Sequence, residues 1–101
     1  MSSDYSAILM KIKNFDDFSC FIFNFFQITL QLRYIAKISD AEKDDQDLLG
    51  YLLLKAGMIA KDQGYGDAFR LVINNGENAG QTVFHLHIHI LAGRNLTWPP
   101  G

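Results

Sequence analysis

Six residues near the end of the chain, His85 to Ile90, alternate between histidine and an aliphatic residue. All three histidines of the chain lie in this stretch. In an extended strand, successive side chains point to opposite faces. The pattern therefore predicts a strand with three imidazoles on one face and aliphatic side chains on the other. We expect the aliphatic face to pack against a core, which leaves the imidazole face for chemistry.

The length of 101 residues predicts one small domain that spans residues 1–101. A core of this size is only just sufficient, so association with a second copy would add stability. The net charge of -2 predicts neither a nucleic-acid partner nor a membrane partner. The single cysteine, Cys20, cannot form an internal disulfide, which indicates a reducing compartment.

An aromatic stretch without charge dominates the first third of the chain. Residues 18–32 carry no charged side chain, and six of the eight phenylalanines fall between Phe15 and Phe26. The stretch is shorter and more polar than the ~20 apolar residues of a bilayer span, and its flanks fit a signal peptide poorly. Alternation predicts a strand over residues 26–32, and residues 10–14 also carry a strand pattern. The aromatic residues between them indicate either a buried strand or an aggregation-prone segment.

The middle of the chain predicts one long helix. Ser39 and Glu42 fit the capping-box pattern, so we expect the helix to begin at Ser39. Apolar residues then recur at helical spacing until two glycines within residues 64–66 end the helix. Two further glycines, Gly50 and Gly57, either permit close approach of another backbone or are simply tolerated.

A β-hairpin is predicted to follow the helix. Residues 69–74 are rich in β-formers and lead into a turn at Asn75 and Gly76. After a polar loop, residues 82–91 form the second strand, the one that carries the histidines. The two strands should pair in antiparallel fashion.

The loop before the histidines suits phosphate chemistry. Backbone N–H groups of residues 80–83 can point at an anion, and Thr82 adds a hydroxyl donor. An imidazole can then attack phosphorus if one ring nitrogen is free and the other donates its N–H to a carbonyl. A second histidine on the same face can bind the charged oxygens or handle the proton of the leaving group.

A metal site is the alternative for the same residues. Histidines two apart on a strand can both reach one ion. Glu77 is the only acidic residue near enough in sequence to complete a shell, and the amide-rich loop suits an anion better. A purely structural cluster is a third interpretation, but imidazoles without partners are costly to bury.

These residues also resemble a known family. The His-x-His-x-His pattern with apolar residues between the histidines is similar to the histidine-triad (HIT) signature. The surrounding residues resemble its HINT branch, the purine nucleoside phosphoramidases, over residues 33–101, whereas residues 1–32 diverge. The segments that carry the resemblance to HINT are Asn74–Gly76, Ala79–Val83, Ala92–Arg94 and Trp98–Gly101, and the predicted helix Asp40–Gly64 also resembles the HINT helix.

The resemblance implies an α+β fold and a hydrolase. Proteins of the HINT branch are homodimers, and each subunit has one long helix and an antiparallel sheet of about five strands that joins the sheet of its partner. They hydrolyse the P–N bond of adenosine or guanosine phosphoramidates, such as AMP joined to lysine. The expected partner is therefore a purine nucleotide. No cofactor or metal is needed, although some members have been described as zinc binders, and the expected location is the cytoplasm and also the nucleus.

The resemblance also implies a role for individual residues. The middle histidine, His87, would be the nucleophile that forms a covalent nucleotidyl intermediate, His89 would contact the phosphate, and the carbonyl of His85 would orient the nucleophile. Trp98 belongs to a tail that reaches toward the partner's site and shapes the choice of leaving group. The positions that match the family's phosphate-binding residues are Asn74, Gly80, Gln81, Thr82 and Val83.

The first third of the chain departs from the HINT pattern. Where that branch has a proline-rich stretch with a fourth histidine, this chain has residues 25–33, and Phe26 takes the place of that histidine. The strand that grips the nucleoside is also not recognisable. Two hypotheses follow: an active phosphoramidase, or a catalytically weak relic or splice form that binds a nucleotide or dimerises.

Overall fold

A computed structural model describes residues 5–14, 19–27 and 35–101. The described strands form one antiparallel sheet in the order β1-β2-β4-β3. One α-helix, α1, lies between β2 and β3 in the sequence, and three short 3-10 turns join the larger elements. The bounds are β1 Tyr5–Asn14, β2 Ser19–Gln27, α1 Gln46–Asp62, β3 Phe69–Val72 and β4 His87–Ala92, with 3-10 turns at Ile38–Asp40, Lys43–Asp45 and Glu77–Ala79.

The histidine strand β4 lies inside the sheet, between β2 and β3. His89 has Val72 of β3 as its register partner on one side and Ile22 of β2 on the other. The predicted antiparallel hairpin is confirmed, but both strands are shorter than expected. β3 ends at Val72 rather than at residue 74, and β4 begins at His87 rather than at residue 82.

Hydrogen bonds to other segments explain the late start of β4. The N–H of Leu86 donates to the carbonyl of Ile35 at 2.8 Å. The carbonyl of Val83 accepts from the side chain of Gln81 at 3.0 Å. The backbone before His87 is therefore bonded to its own loop and to the segment before the helix, and the register pairing with β3 ends at His89.

The aromatic stretch forms a strand. Residues 19–27 make up β2, which pairs with β1 on one side and β4 on the other, and the pattern at residues 10–14 falls within β1. Only the first two residues of the strand predicted at 26–32 lie in β2. The rest of that prediction lies outside the described residues.

The helix begins later than the capping pattern predicted. Instead of capping a helix, Ser39 donates its N–H to Oδ1 of Asn75 at 2.8 Å. The capping box forms three residues later, where the N–H of Glu42 donates to Oδ2 of Asp45 at 2.8 Å. The helix α1 then starts at Gln46. The predicted end is confirmed: α1 stops at Asp62 and is followed by a glycine in the left-handed region.

The core lies between β4 and α1. Alternate residues of the histidine segment are buried there, as the pattern predicted, and each fully buried aliphatic side chain contributes ~1.5–3 kcal/mol. The α+β prediction is confirmed for the described residues, which contribute four strands and one long helix. The main core residues are Ile35, Leu48, Leu52, Ala56, Ala60, Leu86, Ile88 and Ile90.

None of the helices in the described part of the chain has both the length and the apolarity needed to cross a bilayer.

Candidate active site

The face of β4 opposite the core carries the imidazoles. His87 and His89 are half-buried, and the residues that alternate with them, Ile88 and Ile90, are buried in the core. The ring centroids of His87 and His89 lie 4.9 Å apart at an interplanar angle of 66°. The strand therefore presents two imidazoles close enough to act on one small group.

A backbone carbonyl holds the ring of His87. Nδ1 of His87 lies 2.7 Å from the carbonyl oxygen of His85. A carbonyl oxygen only accepts hydrogen bonds, so Nδ1 must carry a proton to make this contact. In the neutral ring, Nε2 then keeps its lone pair, which is the state that a nucleophile needs. The contact joins the two groups that the resemblance named, the ring of His87 and the carbonyl of His85. The role of each residue in a reaction stays a prediction.

The flanking histidines favour the neutral form. Partial burial lowers the pKa of His85 below the ordinary histidine value, and the charge that His87 can carry lowers it further. The same two causes, in the same order, lower the pKa of His89. Both rings therefore favour the neutral form, in which an imidazole has one donor nitrogen and one acceptor nitrogen.

The loop between β3 and β4 turns on two glycines in conformations that other residues rarely adopt. Gly76 has a φ of 90° and Gly80 has a φ of 95°, and they flank the 3-10 turn Glu77–Ala79. The loop also passes close to Asn74, since a Cβ on Gly80 would lie 3.9 Å from Nδ2 of Asn74. Two of the predicted phosphate-binding residues are thus brought together.

The N–H groups of this loop fall into two sets. Those of Gly80 and Gln81 donate to the carbonyls of Glu77 at 2.9 Å and Gly76 at 3.1 Å. Those of Thr82 and Val83 make no hydrogen bond to another group in the described part of the chain. Both residues are exposed and come directly before the histidine strand. Among the described residues, two adjacent amide donors are therefore available to an anion on the loop that leads into β4.

The side chain of Gln81 points into the protein. It is 3% exposed, and it is engaged at both ends. Oε1 accepts from the N–H of Gly76 at 2.8 Å, while Nε2 donates to the carbonyls of Ala36 at 2.7 Å and Val83 at 3.0 Å. Its predicted contact with phosphate stays untested, but its carboxamide has no donor left for an anion.

The C-terminal tail lies against β3. Nη2 of Arg70 donates to the carbonyl of Thr97 at 2.9 Å, a contact that no pattern in the sequence indicated. The next residue, Trp98, is 81% exposed. With Arg70 and Val72, among others, it lines an open cavity of about 420 Å³ that none of the three histidines lines. The tail tryptophan is therefore held beside the sheet with its ring in the open.

The metal alternative gains no support from the described geometry. Within residues 5–14, 19–27 and 35–101, no three side chains of His, Cys, Asp or Glu are grouped so that they could hold a metal ion. The histidines share a face, but none of the residues that the structure describes joins them there as a further ligand.

The chain is similar to known proteins over about two thirds of its length. The HIT domain profile matches residues 25–96. An uncharacterized HIT-like protein of Synechocystis sp. is 61% identical over 67 residues, which are 66% of this chain and 59% of that protein. An uncharacterized HIT-like protein of Synechococcus elongatus is 52% identical, with the same shares. A 14 kDa zinc-binding protein of Zea mays is 45% identical over 63% of this chain and 50% of its own length.

Solved structures extend the likeness to most of the fold. A HIT family hydrolase from Legionella pneumophila Philadelphia 1 superimposes with a TM-score of 0.68 at 31% identity, covering 90% of this chain and 87% of that one. A HIT family hydrolase from Clostridium thermocellum gives a TM-score of 0.76 at 26% identity, covering 96% and 79%. The chain spans between a half and three fifths of the curated relatives that it matches. On its sequence and its fold, the chain belongs to the HIT domain family.

Proposed function

We propose that this chain hydrolyses the P–N bond of purine nucleoside phosphoramidates, as the HINT branch does, through a covalent nucleotidyl intermediate on His87. One observation carries the proposal: Nδ1 of His87 lies 2.7 Å from the carbonyl of His85, which leaves Nε2 as the free nitrogen. The solved HIT relatives are named hydrolases, which supports the reaction class.

The reaction runs in two displacements. The lone pair of Nε2 of His87 attacks phosphorus, the P–N bond of the substrate breaks, and the amine leaves after taking up a proton from solvent, which the attacking water returns in the second step. Water then attacks phosphorus, the bond to Nε2 breaks, and the nucleoside monophosphate departs. One water is consumed, and His87 returns to its starting state. The covalent step replaces one difficult displacement by two easier ones.

The loop and the neighbouring imidazole stabilise the charge that develops on phosphorus. The N–H groups of Thr82 and Val83 lie together on the loop that leads into β4, and the hydroxyl of Thr82 adds a donor. The ring of His89 lies 4.9 Å from that of His87 and favours the neutral form, and in this scheme it contacts a phosphate oxygen. No metal is required by this scheme.

The exposed face of α1 supports a homodimer. Leu54 is 67% exposed and Met58 is 49% exposed, and they lie one turn apart on the same side of the helix. A Cβ added to Gly50 or Gly57 on that side would meet no atom within 4 Å. An apolar helix face with two bare backbone positions suits a second copy of the same helix. The expected location in the cytoplasm and nucleus stays a prediction from the resemblance.

A second candidate function rests on the incomplete match at the N-terminus. The family profile begins at residue 25, and the curated relatives are aligned over 59% of their length or less. A chain that has the phosphate loop but lacks a nucleoside strand would bind a nucleotide or a partner subunit and turn over substrate slowly or not at all.

Intact-mass measurement separates the two candidates. The full chain is mixed with AMP joined to lysine, quenched in alkaline denaturant at early times and weighed without acidification, because a P–N bond to histidine is labile in acid. We expect the mass of one adenylyl group to be added, and the addition to disappear in His87→Gly although AMP still binds to that variant. A folded wild-type chain that binds AMP without adduct or turnover would favour the second candidate. Turnover by His87→Gly would show that the nucleophile is misassigned.

A further inference from the structure

We propose that Gln81 is a positioning residue: its buried carboxamide fixes the loop so that the N–H groups of Thr82 and Val83 form the anion cradle. The inference rests on the proposed function only for the identity of the anion as the phosphate of a nucleotide. It assigns to the Gln81 side chain a part different from the direct phosphate contact that the resemblance implies.

The hydrogen bonds of Gln81 leave its side chain no capacity to donate to a ligand. A carboxamide has two N–H donors, and both are used by the carbonyls of Ala36 and Val83. The partners also fix its orientation, because the N–H of Gly76 requires the oxygen and the two carbonyls require the nitrogen. The backbone N–H of Gln81 donates to the carbonyl of Gly76. Any effect of Gln81 on a bound phosphate must therefore pass through the loop.

The cradle consists of two peptide units with open N–H groups, which lie between two peptide units that hydrogen bonds hold in place. The peptide unit ending at the N–H of Gln81 is held by Gly76, and the unit beginning at the carbonyl of Val83 is held by Nε2 of Gln81. Between them lie two peptide units, which contain the N–H groups of Thr82 and Val83. Because peptide units are planar, fixing the two flanking units restricts the two between them to few orientations. The two open donors are thus held in place before an anion arrives.

The same side chain ties the loop to the segment that precedes the helix. Nε2 of Gln81 bonds the carbonyl of Ala36, and the N–H of Leu86 bonds the carbonyl of Ile35. A third tie joins the two segments further along, from the N–H of Ser39 to Oδ1 of Asn75. Of these three hydrogen-bonded links, only the one through Gln81 also holds a peptide unit next to the open donors. The tie through Asn75 is therefore a matched control, because it joins the same two segments without holding that peptide unit.

The test follows the backbone amides and does not depend on turnover. The full chain, labelled with ¹⁵N, is titrated with AMP as wild type, Gln81→Met and Asn75→Ala, at a temperature where all three are folded. In the wild type we expect AMP to shift the amide signals of Thr82 and Val83. In Gln81→Met we expect the dissociation constant to rise at least tenfold and those shifts to shrink. In Asn75→Ala we expect the dissociation constant to stay within twofold, although unfolding comes at a lower temperature.

A second neutral variant guards against a failure to fold. If Gln81→Met gives the spectrum of an unfolded chain, Gln81→Asn takes its place, because its shorter carboxamide cannot span Ala36 and Val83 together; it should weaken AMP binding in the same way. Wild-type affinity in a folded Gln81 variant overturns the proposal, as does an equal loss in Asn75→Ala. So does a wild-type titration in which the amides of Thr82 and Val83 do not move. By contrast, AMP binding at these amides without hydrolysis counts against the proposed function and leaves the role of Gln81 standing.

Discussion

The carbonyl oxygen of His85 lies 2.7 Å from Nδ1 of His87, two residues further along the chain. The first histidine thus acts on the second through its backbone, and its own imidazole is not part of the contact. A strand normally places residues i and i+2 on the same face without a hydrogen bond between them. Here the chain enters β4 from a loop just before His87, and the carbonyl of His85 accepts from the ring.

This contact makes a prediction about the first histidine. Because the contact uses a backbone oxygen, His85→Gln should still form the adenylyl adduct, with a rate lowered far less than in His87→Gly. Quenched intact-mass kinetics with AMP-lysine measures both rates in parallel. Equal loss of adduct in the two variants would mean that the imidazole of His85 takes part directly.

The free energy of unfolding should depend on pH through the flanking histidines. The pKa values of His85 and His89 are lowered in the folded state, mainly by burial, while the unfolded value is about 6.5. Between the lowered value and the unfolded value the unfolded chain binds more protons, so stability rises with pH in that window. We expect the free energy of unfolding to be highest above the unfolded histidine pKa. It should decrease as the pH falls from there through the lowered pKa values of the folded state.

Urea unfolding at several pH values between about 7.5 and 5.5, around the unfolded histidine pKa, checks this dependence. His89→Gln should make the slope smaller, since one of the two groups with a lowered pKa has been removed. A slope that is the same in wild type and in His89→Gln would contradict the assignment to this residue.

The hydroxyl of Thr82 should contribute to the reaction without being essential. Thr82→Ala removes that donor but keeps the backbone N–H groups of Thr82 and Val83. We expect kcat to fall by ~10- to 100-fold, below the ~10²–10³-fold that loss of a principal oxyanion donor costs. Thr82→Ser keeps the hydroxyl and should stay within a few-fold of wild type. Steady-state kinetics decides, and a Ser variant as slow as the Ala variant would show that the methyl group matters rather than the hydroxyl.

Arg70 should hold the C-terminal tail. Arg70→Gln shortens the side chain and removes the charged donor to the carbonyl of Thr97. Because the bond is exposed, we expect a loss of only ~0.5–1.5 kcal/mol in stability, but a clear gain in mobility of the next residue. Trp98 is the only tryptophan, so its fluorescence anisotropy reports the tail alone.

Arg94→Gln is the control for this measurement. Nη1 of Arg94 donates to the carbonyl of the adjacent residue, Asn95. It should leave the anisotropy of Trp98 near the wild-type value. An anisotropy that does not change in Arg70→Gln would show that other contacts hold the tail.

The exposed face of α1 should mediate self-association. Leu54→Glu places a charge at the most exposed aliphatic position of the helix, so we expect a dimer in the wild type and a monomer in the variant. Gln46→Glu makes the same change in charge at an exposed position at the start of the helix and should stay dimeric. Sedimentation velocity distinguishes the two states. A wild-type chain that is monomeric at high concentration would contradict the prediction.

Periodicity predicted the elements of this fold that local sequence controls. The alternation at residues 85–90 placed the aliphatic side chains in the core and the imidazoles opposite them, and helical spacing placed α1 against that core. The glycine at position 64 ends the helix as expected, because it adopts a positive φ of 90°. Each of these features depends on residues that are close in sequence.

Contacts between distant residues account for the errors. The capping pattern at Ser39 failed because its N–H bonds Asn75, 36 residues away. The strand expected from residue 82 starts at His87 because the side chain of Gln81 and the carbonyl of Ile35 engage the backbone before it. The bond from Arg70 to Thr97 is equally long-range. No single-sequence pattern encodes such pairs, so the sequence predicted the residues of the site better than the geometry of its loop.

The two-residue period of β4 ties folding and chemistry to one backbone register. Ile88 and Ile90 are buried on one face, and His87 and His89 occupy the other. Deleting or inserting one residue within β4, between His87 and Ile90, would exchange the two faces for the strand residues on one side of the change. Imidazoles would enter hydrocarbon while isoleucines replaced them at the surface. Length changes in this segment should therefore be tolerated nowhere, even where many point substitutions on either face survive.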